Sequence, residues 1–273
     1  MIIDTHAHLE LFEDLEYVLE RAKGVGVSKI ITIGTSLETS KKAIQIAENF
    51  SNSKLEIYAT CGIHPKDGVE EVENLGLSEV IKSLEKITKS SKKVVGIGEC
   101  GLDYRTVKSE KGQVTSEDEK GAQKKIFREQ IRLATQLDLP LVVHCRNGWN
   151  EIFDLLTTNH EPSTNLTGVF HSFTGGVEEV RTAVDLGFFV SFSGIVTFTN
   201  AKNIQKAAKK VSIDRILLET DSPFLAPKPL RGSQNEPKNV TIIGQFLAEH
   251  LNLPVGKIEK LTMSNASSLF RLG

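Results

Sequence analysis

A TIM-type (β/α)8 barrel, built as one domain over residues 1–273, is the fold the sequence predicts. Short apolar runs without helical period alternate with longer amphipathic stretches, and eight such units follow one another along the chain. The length, 273 residues, is one that α/β barrels routinely reach as a single domain. The rival architecture, an open doubly wound sheet, usually carries a glycine-rich nucleotide loop after its first strand, and no GxGxxG stands there.

The predicted strands are MIID (1–4), KIITIG (29–34), LEIYATCG (55–62), VVGIGE (94–99), LPLVVHC (139–145), TGVFHS (167–172), FFVSFSG (188–194) and RILLET (215–220). Each is short and bounded by Gly, Pro or polar residues. Among the helical patterns, LEYVLERAKGVG (15–26) repeats apolar residues at helical spacing and ends in glycines. SLETSKKAIQIAENF (36–50) offers Ser36 as N-cap, with Glu38 and Thr39 in the first turn. EDEKGAQKKIFREQIRLATQLD (117–138) is the longest and stops before Leu139-Pro140. The most polar stretch, 105–120, reads as a mobile surface loop after strand four.

Composition narrows the class. Hydrophobic residues at 39% and charged residues at 25% suit a soluble globular protein, and no apolar run is long enough to span a bilayer. The N-terminus lacks the basic-then-apolar order of a signal peptide. Cys61, Cys100 and Cys145 are scattered singly, which argues against a disulfide framework and leads us to expect a cytoplasmic setting. With a net charge of −2, nucleic-acid binding has to come from a local basic patch.

The reactive residues are not scattered. His6 and His8 end strand one, His64 follows strand three, Glu99 ends strand four, His144 ends strand five, His171 ends strand six and Asp221 ends strand eight. Parallel barrel strands bring their C-terminal ends to one mouth, where barrel enzymes build their sites. Only His160 and His250 fall elsewhere, and they read as surface residues. Mixed nitrogen and oxygen donors suit zinc, manganese or a similar divalent cation. Each residue also has a plainer role: Glu99 as a buried acid paired with Arg105, Asp221 as a turn former before Ser222-Pro223, His171 as a helix cap. Convergence of all of them on one rim favours a cation site there, with His6 and His8 as ligands.

HxH (6–8), GIHP (62–65), GIGECGLDY (96–104), HCR (144–146), HSFTGG (171–176), LLETDSPFLAP (217–227), RGSQNEP (231–237) and NASSLF (265–270) together resemble the TatD-like metal-dependent deoxyribonucleases, within the amidohydrolase-like barrels. The resemblance runs from residue 1 to about residue 270 in the family's order. It implies two divalent cations, Mg, Mn or Zn. His6, His8, Glu99 and Asp221 would hold the first; Glu99, His144 and His171 would hold the second, with Glu99 bridging. It implies DNA as substrate and exonucleolytic phosphodiester hydrolysis. His64 resembles a site histidine that touches the substrate phosphate. Many relatives carry a second His where this chain has Lys66, and Asp where it has Asn147.

On this reading two cations about 3.5–4 Å apart lower the pKa of a water and neutralise phosphate charge. Asp221 is the expected general base, with Glu99 and His64 as further catalytic residues. His64, Lys66, Arg146 and Arg231 are candidates for the phosphate, within a wider basic set that adds Arg105 and Lys228. Arg231 could instead pair with Glu236 within its loop, and Asn235 and Glu236 are expected to lock that loop. Two alternatives remain: a hydrolase of amides, lactones or small phosphoesters on the same site, and a non-catalytic metal-binding scaffold.

Overall fold

The computed structural model describes residues 1–105, 114–158 and 166–273. Eight parallel strands form one sheet in sequence order, β1 (Ile2–Ala7), β2 (Val27–Ile33), β3 (Glu56–Cys61), β4 (Val94–Asp103), β5 (Leu141–Arg146), β6 (Gly168–Phe170), β7 (Phe189–Phe192) and β8 (Ile216–Leu218). The sheet closes on itself where β1 meets the end of β8. Ala7 and Ser222 form a parallel bridge, and His8 N and Asp221 N donate to Ser222 O and His6 O at 2.7 and 2.9 Å. All eight predicted strands are present, and the expected barrel is the observed one.

Helices cover the outside: α1 (Leu15–Gly24), α2 (Leu37–Phe50), α3 (Gly68–Leu75), α4 (Leu77–Thr88), α5 (Glu117–Leu137), α6 (Trp149–Thr158), α7 (Val177–Asp185), α8 (Lys202–Ala208), α9 (Val240–Leu251) and α10 (Val255–Phe270). Ser36 caps α2 in a reciprocal capping box with Thr39, as its sequence suggests. Ser116 does the same for α5 with Glu119. The buried face of α5 repeats at helical spacing through Gln123, Ile126, Phe127, Gln130, Ile131 and Ala134.

The two ends of the barrel differ in chemistry. Inward-facing Ile3, Ile31, Ile33, Val95, Val142, Val169, Phe189 and Leu217 pack with Leu269 and Phe270 of α10 into an apolar plug. The C-terminal ends carry the polar residues, so hydrophobic burial anchors one end and leaves the other for chemistry.

Strand β4 departs from expectation. It does not stop at Glu99 but runs on to Asp103. Its pairing with β5 shifts register between Ile97 and Cys100, so Glu99 sits on a bulge in mid-strand. Glycines permit this: Gly98 and Gly101 have φ of +148° and +136°. A Cβ on Gly101 would overlap the His144 carbonyl oxygen. Of the polar stretch 105–120, residues 106–113 lie outside the described residues, as does His160, while 117–120 are already helix. Thr115 Oγ1 accepts from Arg105 N at 2.8 Å, so the described flanks of that stretch are joined.

Gly101→Ala is expected to lower stability by roughly 2–5 kcal/mol through overlap and an unfavourable φ. Gly121→Ala, in α5 with nothing near its Cβ position, is expected to raise stability by up to about 1 kcal/mol. Urea unfolding of both variants checks this, and an undisturbed Gly101→Ala would contradict the bulge geometry.

Candidate metal centre

Glu99 is the hub of the barrel mouth. It is 3% exposed, yet five imidazoles stand within 3.8 Å of its carboxylate. Its oxygens divide them. Oε2 faces His6 Nε2 at 3.4 Å and His8 Nε2 at 3.8 Å. Oε1 faces His144 Nδ1 and His171 Nε2, each at 2.9 Å, and His64 Nε2 at 3.4 Å. Asp221 adds its Oδ1 to the first group, 3.6 Å from His6 Nε2 and 3.3 Å from His8 Nε2.

Donor atoms of His6, His8 and Asp221 lie within 4.8 Å of one another, as do those of His6, Glu99 and His171, and those of His64, Glu99 and His144. These clusters could hold a metal. Both ring nitrogens of fully buried His6 make no hydrogen bond. Burying such groups unpaired is costly, and a cation at the cluster removes the cost for those that point at it. The nitrogen and carboxylate donors match zinc, manganese and similar ions.

Each residue is placed by a specific local device. His6 and His8, two residues apart at the end of β1, both reach the cluster, and the pairing of β1 with β2 shifts register between Asp4 and Ala7. Asp4 does not join them: its carboxylate accepts from Thr220 N at 2.8 Å and Thr220 Oγ1 at 2.6 Å, tying β1 to the chain after β8. Burial pushes the Asp4 carboxyl up, to about 8, against those donors. Asp221 lies beyond the short β8 with φ +57°, and its carbonyl accepts from Phe224 N at 2.9 Å. The turn-forming and site-facing roles of Asp221 thus coexist. Buried Asn235 donates to Thr220 O and Phe224 O and accepts from Glu236 N, locking this loop as expected.

From α5, Gln123 clamps the backbone of Asp103 and Gln130 clamps that of Ile63, one helix face fixing the ends of two strands. His64 Nδ1 accepts from Lys66 N at 3.2 Å, so in the neutral ring the proton sits on Nε2 and faces Glu99 and the cavity. Burial holds His64 down at about 3, so it is neutral. That tautomer turns the Nε2 proton toward Glu99 Oε1, 3.4 Å away.

Carboxylates behind the histidines escaped the sequence reading. Asp103 Oδ2 lies 3.4 Å from His144 Nε2, Glu219 Oε1 lies 3.4 Å from His171 Nδ1, and Glu10 Oε1 lies 3.8 Å from His8 Nδ1. Carboxylates behind metal-binding imidazoles orient the ring and raise its basicity. The only advance signal is position, two residues from a candidate ligand (Glu10, Glu219) or at a polar strand end (Asp103).

The cavity over this cluster has a volume of about 380 Å³ and is also lined by Lys66, Arg105, Arg146 and Phe224. Arg146 reaches Asp103 Oδ2 at 3.4 Å. Two members of the predicted basic set stand elsewhere. Lys228 lines a separate cavity beside His250, and Arg231 lies over the Phe198 ring at 4.5 Å, outside the lining of the central cavity. The considered Arg231–Glu236 pair does not form, because Glu236 faces Arg21 at 2.7 Å and Lys238 at 3.3 Å. His171 does not cap a helix; Gly176 starts α7. His250 is only half-exposed, with Nε2 2.7 Å from Gln205 O.

The electrostatics follow from packing imidazoles around acids. Burial works against charge on His8, but hydrogen bonds to Asp221 and Glu10 and the charges of Asp221 and Glu99 outweigh it and hold the ring up at about 10. Burial likewise opposes the charge on His171, and the charges of Glu99 and Glu219 hold it well above the usual imidazole range. Burial alone would raise Glu99, yet the surrounding histidines hold it well below the usual carboxylate range. Without metal, the cluster therefore holds protons on imidazoles that a cation has to displace. At pH 7, Mn²⁺ or Zn²⁺ uptake is expected to release at least one proton per chain. Titration calorimetry in buffers of different ionisation enthalpy measures this, and enthalpies independent of the buffer would contradict it.

A family model described as TatD related DNase matches residues 3–271. An uncharacterized metal-dependent hydrolase of Bacillus subtilis (strain 168), YabD, is 37% identical over 275 residues, covering 100% of both chains. YcfH of Escherichia coli (strain K12), described in the same words, is 30% identical over 277 residues, 99% of this chain and 96% of that one. The crystal structure of YjjV, a TatD homologue from Escherichia coli K12, superposes with a TM-score of 0.85 at 28% identity, covering 100% of this chain and 98% of that one. The chain belongs to the TatD-related DNase family of metal-dependent hydrolases.

Proposed function

We propose that the protein hydrolyses DNA phosphodiester bonds with two divalent cations, trimming strand ends. The observation that carries this reading is the division of Glu99: one carboxylate oxygen faces His6 and His8, the other His144 and His171, under a cavity lined by Lys66, Arg105 and Arg146. His6, His8 and Asp221 would hold one cation and His144 and His171 the other, with Glu99 shared between them. Bound there, the cations supply Lewis acidity, acidifying the attacking water and neutralising phosphoryl oxygens as they gain charge.

The chain's own residues do the rest. Asp221 turns Oδ1 toward His6 and His8, which leaves Oδ2 to take the proton of the attacking water. His64 donates from Nε2 to a phosphate oxygen, being neutral and fixed in that tautomer by Lys66 N. Lys66 and Arg146 at the rim counter the remaining phosphate charge, and Asp103 orients Arg146. Contacts of this kind read the backbone and not the bases, so little sequence preference is expected. Among the described residues no helix is long and apolar enough to cross a membrane. Cys61, Cys100 and Cys145 are all free and buried, which supports a reducing, cytoplasmic setting.

Metal-stripped protein is to be incubated with end-labelled single- and double-stranded DNA, with Mg²⁺, Mn²⁺ or Zn²⁺ added separately. Metal-dependent shortening from an end is expected. Asp221→Asn keeps an oxygen for metal but loses the base, so turnover is expected to fall roughly 10²–10⁴-fold with metal largely retained. Near-normal turnover in that variant would remove Asp221 from proton transfer. Inert DNA alongside rapid turnover of an amide, lactone or small phosphoester would replace the substrate reading.

A further inference from the structure

Phe224 lines the central cavity and is 51% exposed. An apolar ring of this size left in water forgoes a substantial burial gain. Its backbone is not loose. Phe224 N donates to Asp221 O at 2.9 Å, Phe224 O accepts from Asn235 Nδ2 at 2.7 Å, and Asn235 N donates to Pro223 O at 3.0 Å. Asn235 itself is fully buried, so the ring is held at the mouth by a fixed loop. It meets His8 edge to face, with ring centroids 5.7 Å apart.

The topology sets this ring against the cations. With eight strands in sequence order, β4 stands across the barrel from β8. Lys66, Arg105 and Arg146 follow or end β3, β4 and β5, whereas Phe224 follows β8. One side of the cavity is therefore cationic and the other aromatic, with Glu99 and Asp221 between them.

We infer that Phe224 is a stacking platform for the nucleobase beside the scissile phosphate. This rests on the phosphodiesterase reading above. The phosphate lies toward Lys66 and Arg146, and the attached base turns toward Phe224. Every base has a π face, so stacking is tolerant of sequence. A base inside a duplex is already stacked and paired, and has to be freed first. The cavity volume, about 380 Å³, suits one nucleotide unit rather than a base pair.

The test compares a single-stranded oligonucleotide with one carrying an abasic residue at whichever end the enzyme attacks. Phe224→Leu, which keeps apolar bulk without a ring, is expected to lower kcat/KM on the ordinary strand about 5- to 100-fold, mainly through KM. Cleavage of the abasic strand is expected to be unchanged, and Phe224→Trp to restore the ordinary strand. A terminal 2-aminopurine, bound to Asp221→Asn protein to prevent cleavage, is expected to lose fluorescence, and the additional Phe224→Leu change to abolish that loss. Equal loss on both strands, or no loss on either, would overturn the stacking role while leaving DNA hydrolysis intact. If the unaltered protein neither binds nor cleaves any oligonucleotide, the phosphodiesterase reading fails and the stacking role falls with it.

Discussion

Glu99 is a carboxylate taken out of water and surrounded by imidazoles. Burying an anion costs several kcal/mol unless charge and hydrogen bonds compensate it. Here His144 and His171 approach one oxygen at 2.9 Å, and His6 approaches the other at 3.4 Å. The compensation is incomplete without a cation. The His6 and His171 rings stack with centroids 4.0 Å apart, and the charge on His171 combines with burial to hold His6 below the usual imidazole range. Neither nitrogen of His6 makes a hydrogen bond. A buried cluster this rich in nitrogen and carboxylate donors could hold a cation, whose binding would be coupled to proton release.

The rest of the mouth serves to hold this arrangement. The bulge in β4 turns Glu99 inward, and glycines at 98 and 101 let the strand pass close to β5. Gly62 yields space in the same way, since a side chain there would run into the backbone of Gly98. Asp4 and Asn235 tie the chain after β8 to β1 and to the following loop, fixing Asp221 and Phe224. Asp103, Glu219 and Glu10 orient three of the histidines from behind. Mobility at any of these points would loosen the donor geometry, and positioning errors near 1 Å are enough to cost activity.

Much of this could be read from the chain because barrel topology converts sequence position into spatial position. A histidine at the end of any parallel strand arrives at the same mouth, so His6, His64, His144 and His171 could be brought together without coordinates. What the sequence hid has physical reasons. The reach of β4 to Asp103 depends on a bulge, and GECG looks like a strand terminus because glycine weakens the strand pattern. Gln123 and Gln130 resemble ordinary polar helix residues; only the packing shows them clamping backbone. Long cations are placed by loop conformation, which spacing does not encode, and so Lys228 and Arg231 were grouped with residues whose cavity they do not line. Phe224 stands within LLETDSPFLAP, where the letters alone do not tell that its ring is exposed at the cavity.

The shared position of Glu99 is the central claim, and metal stoichiometry tests it most directly. Metal-stripped protein and Glu99→Gln are to be titrated with Mn²⁺, with ions counted by calorimetry and confirmed by elemental analysis after dialysis. Two ions per chain are expected for the unaltered protein, with both sites weakened together when the charge of Glu99 is removed. Two ions bound with unchanged affinity in Glu99→Gln would contradict the account, as would the absence of any bound ion in the unaltered protein.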